Sequence, residues 1–314
     1  MESWTLANAH GYSATILSYG AVLQSLIVPH PKGPRDVVLG FDDPEDYVRS
    51  MGHTYPPFYG AVVGRHSGRI ARAHLPMGDQ IHHLEANDGP NHLHGGQASL
   101  SRKFWRLVDQ SGGPEPYLTL EVTSPDGEGG YPGDLTARVT YQLTENGLRV
   151  ELTAKCDQES LVNLTQHSCF NLNGGETSTE NHRMQVNATA SLETNQMIPT
   201  GNLLPLKTDE FDSSLRSGLD RTYVLAPNEP AATLEVDDLR MTAHTNQAAL
   251  HVFVGGGNET QMPGKGAQPY MDAWGICLEN QGFPDAPHHP HFPTTFLAAG
   301  ETYVNWITFD FEML

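Results

Sequence analysis

The chain is poor in basic residues. Lys and Arg together number 18 against 37 Asp and Glu in 314 residues, a formal net charge of -19. A surface of that sign repels nucleic-acid phosphates and anionic lipid, so neither nucleic acid nor membrane is expected as a partner, and a neutral small molecule suits it better. Long apolar runs are missing too. No stretch approaches the roughly 18 residues a spanning helix needs, and the opening MESWTLANAHGYSA has neither the basic nor the apolar region of a secretory leader. Cysteine is scarce. Cys156, Cys169 and Cys277 are odd in number and widely spaced, which argues against a disulfide framework or zinc knuckle and for reduced thiols in a cytoplasmic protein. A sustained 3.6-residue period is absent as well, leaving only a short helix around Pro44 to Arg49.

What is present is a two-residue period. Leu135, Ala137, Val139, Tyr141 and Leu143 alternate with polar residues, and Leu148, Val150, Leu152 and Ala154 do so again after Asn146-Gly147. Asn-Gly tolerates the positive φ angles of a tight turn, so this reads as a hairpin turning on those two residues. Leu118, Leu120 and Val122 show the same alternation, as do Tyr303, Asn305, Ile307, Phe309 and Phe311. Gly/Pro/Asp loops separate such runs, notably 124–133 and 255–266, amid 31 Gly and 22 Pro. The pattern predicts one all-β domain over 1–314, a large antiparallel sandwich whose strands and loops line a cleft, with few short helices.

Four polar clusters interrupt this apolar framework. In NHLHGG (91–96), His92 and His94 would share a face if the segment is a strand, and the glycines admit close approach to the backbone. Two such histidines could ligate a metal, yet the following GGQASL offers no carboxylate to complete a cupin-like set. The tract His288-His289-Pro290-His291 looks like an exposed loop. His167 lies within the apolar LVNLTQHSCFNL, where an imidazole is either a hydrogen-bonded core residue or a proton carrier working near neutrality. Glu279 follows the apolar strand WGICL, where a charge must be paired or functional, and a partly desolvated carboxylate is a usable base. Arg65 and Arg69, in GRHSGRIAR, would share a face and could grip hydroxyls or a phosphate, or pair with the many carboxylates. No activated Ser or Cys nucleophile and no phosphate-cradling glycine loop appears.

Ten segments in order resemble the aldose 1-epimerase (galactose mutarotase) family. They are YGAVL (19–23), DVVLGF (36–41), GAVVGRHSGRIA (60–71), GPNHLHGG (89–96), SPDGEGGYPG (124–133), NLTQHSCFNLNG (163–174), IPTG (198–201), GLD (218–220), LENQGFPDAP (278–287) and GETY (300–303). The resemblance implies the family's supersandwich and an isomerase (the EC 5.1.3.3 class) that interconverts the anomers of a free aldose such as glucose or galactose without any cofactor or metal. It also implies roles: Glu279 as general base on the anomeric hydroxyl, His167 as general acid at the ring oxygen, and His94 as hydrogen-bond partner of that oxygen or a neighbouring hydroxyl. Arg69 and Asp220 would hold other hydroxyls, and His251 falls near a pocket-lining Gln. The chain departs from the family pattern at Gly68 (usually Asn), Cys169 (usually aromatic) and Arg221 (usually His). Monomer or homodimer is expected. Three alternatives stand beside this reading: a hexose-phosphate epimerase, suggested by Arg65, Arg69 and Arg72; a non-catalytic carbohydrate-binding or regulatory protein on the same scaffold; and a cupin-like metal enzyme.

Overall fold

The structure, a computed structural model, describes residues 1–206, 215, 218–255 and 262–314. Residues 256–261 of the expected 255–266 loop lie outside that set. Strands dominate, and their ladders are antiparallel. An eight-stranded sheet runs in the order Arg106–Ser111, Tyr117–Ser124, Leu135–Leu143, Gly147–Cys156, Thr302–Met313, Leu239–Thr245, Ala232–Val236, Arg183–Val186. A six-stranded sheet runs Cys169–Phe170, Gly275–Gln281, Ala249–Gly255, Leu219–Leu225, Ala188–Asn195, Ile198–Leu204. Four further strands near the start, Ser3–Ala7 to Arg35–Asp36, pair among themselves. The α-helix Pro44–Ser50 begins where Asp43 accepts a hydrogen bond from the Glu45 N–H and Pro44 fills a position needing no donor.

The alternating pattern places the core as expected. Leu135, Ala137, Val139, Tyr141 and Leu143 are buried, and so are Ile307, Phe309 and Phe311 across the sheet. Leu250, Val252, Ile276 and Leu278 of the six-stranded sheet join them in one apolar cluster, and Phe170 meets Phe309 with ring centroids 4.6 Å apart. This is the sandwich interior. The other face of the six-stranded sheet is what matters for function. All seven residues of Gly275–Gln281 are buried, so the strand is covered on both sides. Ile276 and Leu278 point into the sandwich, while Glu279 and Gln281 line a cleft on the opposite face.

The hairpin differs from expectation by one residue. Leu143 pairs with Leu148, and the Thr144 N–H donates to the Gly147 carbonyl, so the loop residues are Glu145 and Asn146. Gly147 belongs to the strand. It is glycine for another reason: a Cβ there would stand 1.9 Å from the Phe309 carbonyl oxygen. Cysteine pairing also departs from expectation. Cys169 and Cys277, 108 residues apart in sequence, face each other in register and are joined as a disulfide, leaving Cys156 as the buried free thiol. Sequence spacing carries no information about cross-strand register, which is why three unpaired thiols were expected.

Candidate active site

Register brings the expected acid and base together. Cys169 pairs with Cys277 across an antiparallel ladder; two residues before the one stands His167 and two residues after the other stands Glu279, whose side chains fall on the same face. The His167 Nε2 lies 3.4 Å from the Glu279 Oε1. His167 is fixed by backbone pairing, its N–H donating to the Ala61 carbonyl and its carbonyl accepting from the Gly60 N–H. Gln166, next to it, donates to the Gly60 carbonyl and to Ser168. Glu279 is held mid-strand opposite His251. Both are nearly inaccessible, 6% exposed for His167 and 2% for Glu279, and the Glu279 Oε2 and His167 Nδ1 have no hydrogen-bond partner. Both atoms are thus free to bind a ligand in the cleft.

Around this pair opens a cleft of about 850 Å³, within the usual size for small-molecule sites. His94 closes one side. It follows the strand His92–Leu93 in a left-handed conformation (φ 54°), and the Gly68 N–H donates to its Nδ1 at 3.1 Å. Burial, with the positive neighbours His167, Arg69 and His251 adding to it, holds the His94 imidazole well below its ordinary pKa. It is therefore neutral with Nδ1 as acceptor, which leaves Nε2–H as a donor. Its ring lies 5.7 Å from that of His167 and 5.1 Å from Phe58, and Phe58 also approaches His167 at 5.8 Å.

Arg69 lines the same cleft, its Nε–H donating to Asp88 Oδ2 at 2.6 Å. This pairing fixes one edge of the guanidinium and orients the rest. On the far wall, His251 Nε2 lies 3.1 Å from Asp220 Oδ1, and Thr222 Oγ1 is 2.9 Å from His251 Nδ1. Burial disfavours the charged form of His251, but the hydrogen bond and charge of Asp220, aided by Glu279, outweigh it and raise its pKa. Burial likewise pushes the Asp220 carboxyl upward, yet His251 and Arg69 together hold it below the usual carboxylate range. The two form an ion pair facing the cleft.

Thus His167, Glu279, His94, Arg69, Asp220 and His251 converge. Other expected groupings do not. His92 parts from His94 because the strand ends at Leu93; His92 is buried, its Nδ1–H donating to the Glu85 carbonyl and its Nε2 accepting from the Tyr131 hydroxyl. Arg65 does not share a face with Arg69. It is buried and donates to Ser124 Oγ and to the carbonyls of Ser124, Pro125 and Pro132, clamping the loop 124–133. The histidine tract is engaged rather than free: His288 bonds Asp285, while His289 and His291 donate to the carbonyls of Pro199 and Gly201. Sequence reasoning missed Phe58 and Asp88. Each lies on a loop with no periodicity to betray it; only the fold brings it to the cleft.

An all-β sandwich with an imidazole and a carboxylate in contact inside a cleft lined with hydrogen-bonding groups has the geometry for proton transfer on a small polar ligand. A family model described as Aldose 1-epimerase matches residues 2–310. The chain is 33% identical to a galactose mutarotase from Bos taurus over 320 aligned positions, covering 95% of this chain and 90% of that protein. It is 31% identical to an aldose 1-epimerase from Haemophilus influenzae, with coverages of 98% and 95%. Its fold superimposes on a GalM/aldose epimerase homologue from C. elegans with a TM-score of 0.91 and 26% identity, over 100% and 99% of the two chains. The chain belongs to the aldose 1-epimerase family.

Proposed function

We propose that this protein is a mutarotase acting on a free aldose such as glucose or galactose, with Glu279 and His167 as its base and acid. The observation that carries this assignment is the 3.4 Å approach of His167 Nε2 to Glu279 Oε1 within a cleft open to a monosaccharide. Glu279 takes the proton from the anomeric O1 hydroxyl while protonated His167 delivers one to the ring oxygen O5. The C1–O5 bond breaks, O1 becomes the aldehyde oxygen and O5 a hydroxyl. After rotation about C1–C2, His167 removes the O5 proton as O5 attacks C1 from the other face, and protonated Glu279 returns its proton to O1. Protons and electrons balance over the cycle, and both catalytic groups end as they began. The Nε2–H of neutral His94 is placed to donate to O5 or a neighbouring hydroxyl, and Arg69, Asp220 and His251 supply further contacts to the sugar.

The reading includes a single domain, supported by the apolar cluster shared between both large sheets, and a cytoplasmic, cofactor-independent enzyme working as monomer or homodimer. Among the described residues no helix is long and apolar enough to cross a membrane. Polarimetry of freshly dissolved α-D-glucose and α-D-galactose tests the central claim. The purified protein should speed the approach to equilibrium rotation. A rate equal to the spontaneous one for every common aldose would end the proposal.

A further inference from the structure

Directly beside the acid and base on their strands lies a second pair of reactive groups. Cys169 and Cys277 stand opposite each other with Cα atoms 4.3 Å apart, the spacing of a non-hydrogen-bonded antiparallel pair. Cys169 lines the cleft, Cys277 has no exposure, and both belong to an apolar cluster with Leu39 and Phe41. An imidazole nitrogen of His167 and the two sulfurs all lie within 4.8 Å of one another. Among the described residues one other such cluster occurs, His94, His167 and Glu279, which is the acid–base group itself. The His167 Nδ1 is buried without a hydrogen-bond partner, so the imidazole has coordinating capacity that the protein leaves unused.

We propose that, once the disulfide is opened, Cys169, Cys277 and His167 form a binding site for a thiophilic divalent cation of the Zn²⁺ class, and that occupancy takes His167 out of proton transfer. Opening needs a dithiol or phosphine reductant, which gives two electrons to the S–S bond. Two thiols form: a dithiol supplies both protons and is left as its disulfide, whereas a phosphine takes the oxygen of a water molecule, whose two protons go to the sulfurs, and is left as its oxide. The cation then displaces both thiol protons. Two thiolates and an imidazole are the ligand set Zn²⁺ favours. Tetrahedral bonds of about 2.3 Å to sulfur and about 2.0 Å to nitrogen set ligand atoms roughly 3.5–3.8 Å apart, a separation this cluster can supply. Charge also favours the complex. Two thiolates alone would be costly in an apolar surround, whereas two thiolates with Zn²⁺ are neutral. The unpartnered Glu279 Oε2, next along the same face, or a water from the cleft can complete the shell.

Two probes test this. Protein reduced with a phosphine and freed of it without air should take up about one equivalent of Co²⁺ and develop thiolate-to-cobalt charge-transfer absorption, which Zn²⁺ then erases. The oxidised protein, Cys169→Ala and Cys277→Ala should show no such band, with thermal unfolding confirming that both variants are folded. In polarimetry, Zn²⁺ should slow the reduced wild type at least about tenfold, because a general acid contributes about 10²–10⁴ in rate. A chelator should restore the rate, and Zn²⁺ should leave Cys277→Ala unaffected. Absence of the band in reduced wild type, its persistence in both variants, or Zn²⁺ binding without loss of rate would each overturn the inference. The inhibition rests on the mutarotase reading, but the cobalt spectrum does not. A protein that binds Co²⁺ here yet never mutarotates would sink only the former.

Discussion

Glu279 and His167 can each be exchanged for a side chain of similar size that moves no proton. Glu279→Gln keeps the strand position opposite His251 and a similar shape, and His167→Asn keeps the backbone pairing with Gly60 and Ala61. Polarimetry should find each variant slowed about 10²–10⁴-fold, and the double variant little worse than the slower single one, since the two act as a unit. A double variant slowed by the full product would mean that they act independently. The Asp220–His251 ion pair makes a pH-dependent prediction. His251 is raised in the folded state, so its contribution to stability is complete below the ordinary imidazole pKa of about 6.5 and is lost as pH rises through the folded value. Asp220 is lowered, so its contribution is present above about 3.9 and is lost as pH falls through the folded value. Glu279, Arg69, His94 and His167 surround the pair, and none of them replaces the direct 3.1 Å contact. Thermal unfolding should therefore separate wild type from Asp220→Asn most widely at about pH 5–6, with the gap narrowing on the alkaline side. A gap that widens above pH 8 would contradict the pairing.

At the scale of strands and turns, glycine shows how a correct motif can carry the wrong cause. Asn146-Gly147 marked the hairpin in the sequence, and the hairpin is there, yet neither residue has a positive φ. Gly147 is required because its strand runs between two partners and passes within 1.9 Å, measured from a would-be Cβ, of the Phe309 carbonyl. Gly147→Ala must push two central strands apart and should destabilise the protein by about 2–4 kcal/mol. Gly112→Ala, where a Cβ meets nothing within 4 Å, should shift stability by no more than about 0.5 kcal/mol. Denaturant melts of both variants measure this, and equal losses would refute the close-contact explanation. Strand alternation was legible because burial on one face imposes it locally; the positions of Phe58, Asp88 and Cys169 relative to Cys277 were not, because they depend on which distant segments become neighbours. Arg65 illustrates the same limit. Its sequence neighbours suggested a ligand contact, and its four acceptors lie in a loop some sixty residues on.

For the molecule as a whole, the acidic balance visible in composition extends into the cleft. Among the described lining residues, Glu85, Asp88, Asp220, Asp272 and Glu279 outnumber Arg69, Arg102 and Arg221. The three arginines that suggested a phosphate site do not converge, since Arg65 is buried in its loop clamp, Arg69 is tied to Asp88, and Arg72 is exposed away from the cleft lining. A phosphorylated sugar would approach a protein of net charge -19 against a repulsive field, and Arg65 and Arg72 would not join Arg69 in gripping its phosphate. We therefore expect kcat/KM for glucose 6-phosphate to fall at least about tenfold below that for glucose at low ionic strength. The long-range part of that penalty is screened once the Debye length drops to about 10 Å near 0.1 M salt. Adding salt should thus narrow the gap without closing it, because the missing local contacts do not depend on screening. Equal efficiencies at low salt, or a preference for the phosphate, would show that Arg102 and Arg221 form the phosphate grip that Arg65 and Arg72 do not.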